Sequence, residues 1–191
     1  MFDAGGPILG IDPGLTRCGF ATVRRERGAI VASTYGVMCT EVDAPLPERL
    51  ATLEADMVEL LAEVAPSALA VERLLFQHNV RTAIAVGQAS GVVLAAAARA
   101  GVPVTHYSPN EVKLAVTGSG TADKAQVQAM VTRLLALDTP PSPFDAADAL
   151  ALAVCHAWGA PLRAATAPPS GPGPARLQAA VERALAREEA S

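Results

Sequence analysis

Four carboxylates stand where this sequence changes from one kind of segment to another. Asp12 ends the apolar run PILGID and is followed by Pro13 and Gly14, the pattern of a strand stopping in a turn. Glu72 follows Val71 near the end of SALAVERLL, just as Asp12 follows Ile11. Asp145 and Asp148 open the apolar stretch FDAADALALAVCHA. At that spacing they are displaced by about 4.5 Å along a helix axis. Ligands bind at the edge of a sheet where parallel strands end, so adjacent parallel pairing of the first two segments projects Asp12 and Glu72 near each other.

Singly, each acid has an ordinary explanation. Asp145 caps its helix and Asp148 complements the helix dipole, roughly 1 kcal/mol or less apiece. Asp12 is a common turn residue, and Glu72 a charge at a strand end. Brought together the four would repel, and either a retained proton or cations between them must offset the repulsion. Carboxylates without His or Cys are hard oxygen ligands of the kind magnesium and manganese prefer. Two such ions about 4 Å apart activate water and stabilise the leaving oxygen in phosphodiester hydrolysis. Spacing alone leaves both readings open.

The elements that must position these acids follow from periodicity. CGFATVRR and AIVASTYGVM flank Glu26-Arg27-Gly28 and read as a hairpin. Residues 45–65 place Leu46, Leu50, Leu53, Met57, Leu60, Leu61 and Val64 mostly three and four apart, an amphipathic helix. A strand over 67–75, a small-residue helix over 82–100 and a strand over 102–108 come next. Helical segments near 110–116, 122–137 and 144–158 complete the core. Three strands in hairpin succession, then β-α-β, then helices predict an α/β fold with a mixed five-stranded sheet flanked by helices. The Pro/Ala/Gly-rich stretch from residue 160 reads as a disordered tail, which sets the domain at 1–159 and the tail at 160–191.

The 191 residues suffice for one core, and half of them are hydrophobic. The longest apolar tract, 83–101, holds Gln88, Ser90 and Arg99, so it reads as a buried or interface helix rather than a membrane span. No segment reads as a secretory signal, and Cys18, Cys39 and Cys155 lack paired spacing. Reduced thiols and a cytoplasmic location are expected. Neither the cysteines nor His78, His106 and His156 have zinc-ligand spacing. The net charge of −4 weakens a nucleic-acid reading without excluding it. Over 45–65 five acids face one base, whereas over 66–137 six bases face three acids.

Lys124, in GTADKAQV, falls in the first turn of a helix, where a cation opposes the dipole at a cost of about a few tenths of a kcal/mol. A glycine-bearing loop feeding a helix start can hold phosphate. A solvated surface charge is the alternative.

The segments ILGIDPGLTRCGFA, AVERLLFQHN, AVGQASGV, NEVKLAVTGSGTADKAQVQAMV and DAADALALAVCHA, in this order from about Ile8 to Ala157, together resemble the RuvC Holliday-junction resolvases of the RNase H-like superfamily. The resemblance implies a homodimeric, magnesium-dependent endonuclease of recombination and repair. Such an enzyme has two ions per site, with manganese as a substitute, and nicks two strands of like polarity at a four-way DNA junction. A branch-migration helicase complex is the implied partner. Asp12 matches the acid expected to bridge both metals, Glu72 the second ligand, and Asp145 and Asp148 the final pair. Lys113 and Lys124 match lysines that contact the DNA backbone at the cleavage site. Arg73, His78 and Arg81 are expected DNA contacts around them. Where the family commonly has a base-stacking aromatic residue, this chain has Leu75 followed by Phe76, which puts the preferred cutting sequence in doubt. For the dimer, Ala85, Ala89, Val92, Val93 and Ala96 form the candidate interface stripe, with packing on the chain's own sheet as the alternative.

Three rivals are weighed against this. A related nuclease of ribosomal RNA processing shares the opening motif but not the later segments. An actin-like ATPase or sugar kinase needs a second domain to close over nucleotide. A junction-binding protein without catalysis need not keep four acids.

Overall fold

The computed structural model describes residues 6–73 and 80–166. The chain separates into two units, 1–160 and 161–191. The fold described here belongs to the first.

Its strands are β1 (Ile8–Asp12), β2 (Arg17–Glu26), β3 (Ala29–Cys39), β4 (Ala68–Glu72) and β5 (Val104–Tyr107). They form one sheet in the order β3-β2-β1-β4-β5. β1 and β2, and β2 and β3, pair antiparallel, while β1–β4 and β4–β5 are parallel, so the sheet is mixed as expected. Arg27 and Gly28 turn the β2–β3 hairpin with φ of 50° and 89°. Two consecutive positive φ values match the twist of the flanking strands, and glycine adopts the second without strain.

The helices are α1 (Leu46–Val64), α2 (Val80–Arg99), α3 (Pro109–Thr117), α4 (Lys124–Leu134) and α5 (Phe144–Thr166). Alternation along the strands sends side chains to opposite faces. Leu9, Ile11, Leu69 and Val71 pack with Leu53, Met57 and Leu61 of α1 and with Ala89 and Val93 of α2. On the other face, Ala21, Val23, Ala70 and Tyr107 meet α3, α4 and the alanine-rich α5. Capping boxes set two helix starts that matter for the site. Ser108 with Glu111 begins α3, and Asp123 with Gln126 begins α4.

Two glycines allow α5 to sit unusually close to the sheet. A Cβ added at Gly10 would overlap the carbonyl oxygen of Ala149, and one at Gly19 would overlap that of Asp145. Any side chain at either position would lift the helix away from β1 and β2.

Two expectations change. Ala89, Val93 and Ala96 are buried against α1 and the sheet, with Ala85 and Val92 packed on the same cluster, so that stripe belongs to the protein's own core. The face left open on α2 carries Ile84, Gly91, Ala95 and Ala98. Small residues surround this helix, so periodicity does not distinguish its two faces. The last helix also passes the expected end at Trp158 and continues through Pro161 to Thr166. Among the described residues no helix is long and apolar enough to cross a membrane.

Gly10→Ala should destabilise the protein by about 1–3 kcal/mol in urea unfolding, the usual cost of overpacking. Gly91→Ala meets open space and should be neutral or stabilising by up to about 1 kcal/mol. Equal stability of the Gly10 variant and the unaltered protein would contradict the close seating of α5.

Candidate active site

Asp12 and Glu72 are the last residues of neighbouring parallel strands. The register pairs Ile11 with Val71, so the two carboxylates leave the same edge of the sheet side by side. Above that edge lies the first turn of α5, brought down by its contact at Gly19, which carries Asp145 and Asp148. Lys124, the first residue of α4, reaches Asp148 with Nζ 3.2 Å from Oδ2. Asp12, Glu72, Asp148, Lys113 and Lys124 line one cleft of about 260 Å³, whose apolar walls include Val112, Val127 and Leu152.

Asp145 is placed differently. It does not line this cleft, and its Oδ2 accepts a hydrogen bond from Arg17 Nε at 2.8 Å. Among the described residues no three of His, Cys, Asp or Glu stand close enough to form a closed ligand set. Arg17 engages Asp145 and Lys124 engages Asp148. Convergence on one edge is therefore observed, but the acids are spread rather than clasped.

Charge shows how hard these groups are pressed. Burial, followed by repulsion from Glu72, Asp148 and Asp145, pushes the Asp12 carboxyl up to about 7, with Lys124 opposing. Burial and Asp148 raise Glu72, against the pull of Lys124 and Lys113. Burial also raises Asp148, although the neighbouring Lys124 works the other way. For Lys124, burial acts downward, but the Asp148 carboxylate more than offsets it and the ammonium is held above its ordinary value. The cleft thus concentrates negative charge that neither solvent nor its own lysines fully neutralise.

The donors fit a hard divalent cation. All are carboxylate oxygens, the chemistry magnesium, manganese and calcium select. The nearby thiol is no competitor, since burial pushes Cys18 up to about 12, only partly offset by a hydrogen bond at Gly14. His156 is buried in the core and pairs through Nδ1 with the Tyr107 hydroxyl at 3.0 Å.

Other predicted contacts fall in different places. Arg73 is exposed just beyond β4, its backbone N–H bonded to Tyr107 O at 2.6 Å. Arg81 lies in α2. Leu75, Phe76 and His78 lie outside the described residues. Sequence reasoning missed Arg17. The available signal was a base at the head of β2, which antiparallel pairing carries back to the edge where Asp12 ends.

A family model described as crossover junction endodeoxyribonuclease RuvC matches residues 8–156. The chain is 57% identical to the crossover junction endodeoxyribonuclease RuvC of Salinispora arenicola, over 79% of this chain and 87% of that protein. It is 56% identical to the protein of the same name from Streptomyces avermitilis, over 81% of this chain and 88% of the other. The structure of Thermus thermophilus RuvC in complex with Holliday junction substrate superposes with a TM-score of 0.77 at 39% identity, covering 82% of this chain and 96% of that one.

A carboxyl raised in the folded state holds a proton that the unfolded chain releases. Its contribution to stability is complete below its ordinary value near 4 and disappears as pH rises through about 7. Without divalent cations, Asp12→Asn should therefore melt at a higher temperature than the unaltered protein at pH 8, with the gap closing toward pH 4. Added magnesium or manganese should raise the melting temperature of the unaltered protein and have little effect on the variant. Thermal scans across pH check both effects, and the reverse pH trend would contradict the charge balance described.

Proposed function

The chain belongs to the RuvC family of crossover junction endodeoxyribonucleases, and on that footing we propose that it resolves four-way DNA junctions by paired nicks in strands of like polarity. Its fold is RNase H-like, shared with other junction resolvases. The work belongs to homologous recombination and DNA repair. One observation carries the assignment of chemistry to residues. Asp12 and Glu72, at paired parallel strand ends, share a single cleft with Asp148, Lys113 and Lys124.

Asp12, Glu72 and Asp148 would hold the divalent cations, and Asp145, which partners Arg17, is the proposed fourth ligand from α5. The proposed ions are magnesium, two per site, with manganese able to replace them. When bound, such a pair lowers the pKa of the attacking water and stabilises the departing 3′ oxygen. The protein's own groups position the phosphate. Lys113 and Lys124 line the same cleft as the carboxylates and would offset the charge of the scissile phosphate. Asp12, its carboxyl raised to about 7 by burial and by the neighbouring acids, would be relieved by cation charge. Val112, Val127 and Leu152 line the same cleft, and apolar neighbours lower the screening of charges beside them.

Symmetric cutting requires two such sites facing one junction, hence a homodimer. The open face of α2, with Ile84, Gly91, Ala95 and Ala98, is the proposed contact. Arg73 and Arg81, with the segment holding Leu75, Phe76 and His78, are proposed to hold the opened junction. Residues 1–159 form the nuclease domain in this reading, with 160–191 as a tail. A branch-migration helicase complex is the proposed partner, and the cytoplasm the proposed location.

A labelled, immobile four-way junction tests the reading. With magnesium, the unaltered protein should nick two opposed strands at symmetric positions, and without it none. Asp12→Asn should bind the junction with near-unaltered affinity and cut more slowly by over about a hundredfold, the scale of losing transition-state charge stabilisation. Cuts scattered through plain duplex, or an unslowed Asp12 variant, would overturn the proposal.

A further inference from the structure

We propose that Arg17 binds a backbone phosphate of the DNA strand on the flank of the cleft opposite Lys113, held ready for that role by Asp145. The inference deepens the junction-cutting reading and rests on it.

Placement comes first. Across the sheet edge the order is β2, β1, β4, β5, and Arg17 heads β2 at the edge where Asp12 ends β1. Lys113 belongs to α3, which follows β5. Three strand spacings separate β2 from β5, about 14 Å. That span exceeds the reach of one phosphate group. Lys113 follows β5 and Lys124 is held at Asp148, whereas Arg17 is the base at the β2 side of this edge.

Arg17 Nε is committed to Asp145 Oδ2 at 2.8 Å, and the side chain is still 48% exposed. Among the described residues the terminal amino groups, Nη1 and Nη2, have no protein partner. A guanidinium fixed through Nε presents those two groups as a planar fork, which matches the oxygens of a phosphate.

The loop that presents Arg17 is also braced. Arg49 donates from Nη2 to Thr16 Oγ1 at 2.7 Å and from Nε to Thr40 Oγ1 at 2.9 Å. Thr40 in turn donates to the Leu15 carbonyl at 2.6 Å. Among the described residues Arg49 makes no ion pair. An ordinary surface ion pair would lack this braced mount. The arrangement suits a preorganised phosphate contact, with Asp145 serving as its anchor.

The test is junction binding across a range of salt concentrations in EDTA, followed by fluorescence anisotropy, for the unaltered protein, Arg17→Gln and Arg17→Lys. Arg17→Gln should weaken binding several-fold. Its plot of log affinity against log salt should be shallower by about 0.9 for each phosphate that is no longer neutralised. Arg17→Lys should retain most of the slope. If Arg17→Gln matches the unaltered protein in affinity and slope, Arg17 only partners Asp145 and the inference is overturned alone. An unaltered protein that binds the junction no better than duplex would overturn the junction reading and this inference with it.

Discussion

The site depends on one close approach, the backbone of α5 resting on the backbone of β1 and β2. Gly10 and Gly19 leave no side chain in the way, so the helix reaches the sheet through Ala149 and Asp145. Alanines at 146, 149 and 153 keep the contact thin from the helix side and are buried in it. The same contact that fills the core also brings Asp145 and Asp148 above the strand ends carrying Asp12 and Glu72. Packing and chemistry therefore share their residues, and a change that loosens one disturbs the other.

What this contact assembles is electrostatically unfavourable by itself. Burial and mutual repulsion raise Asp12, Glu72 and Asp148 together, although Lys124 lies within 3.2 Å of Asp148. Such a cluster costs stability, and a retained proton or bound cations offset its repulsion. DNA poses the opposite problem, since a phosphate approaching four acids is repelled unless basic groups border them. Lys113, Lys124 and Arg17 do so, which is why a net charge of −4 over the whole chain says little about this edge.

Much of this was legible in the sequence, for physical reasons. Asp12 and Glu72 each terminate a short apolar run, and strand ends are marked by that change in polarity. Between them lie the β2–β3 hairpin and a single helix, α1, and the chain returns through that helix to pair parallel with β1. The hairpin showed itself through Arg27-Gly28, and the first turn of α5 through its acids. What escaped depends on tertiary contact. Arg17 meets Asp145 across 128 positions, and no local pattern signals an ion pair at that separation. The inward face of α2 is hard to read because alanine, glycine and valine give both sides similar hydrophobicity. The end of α5 lies beyond its expected place because Pro161 reads as a terminator, whereas the helix runs on through it.

If the strand-end carboxylates and the α5 acids form one cation site, a heavy enough divalent ion will reveal it in place. Anomalous diffraction from crystals soaked in manganese makes that measurement. Anomalous density is expected in the cleft beside Asp12, Glu72 and Asp148. Manganese bound elsewhere, with that cleft empty at saturating concentration, would show that the acids converge without forming a metal centre.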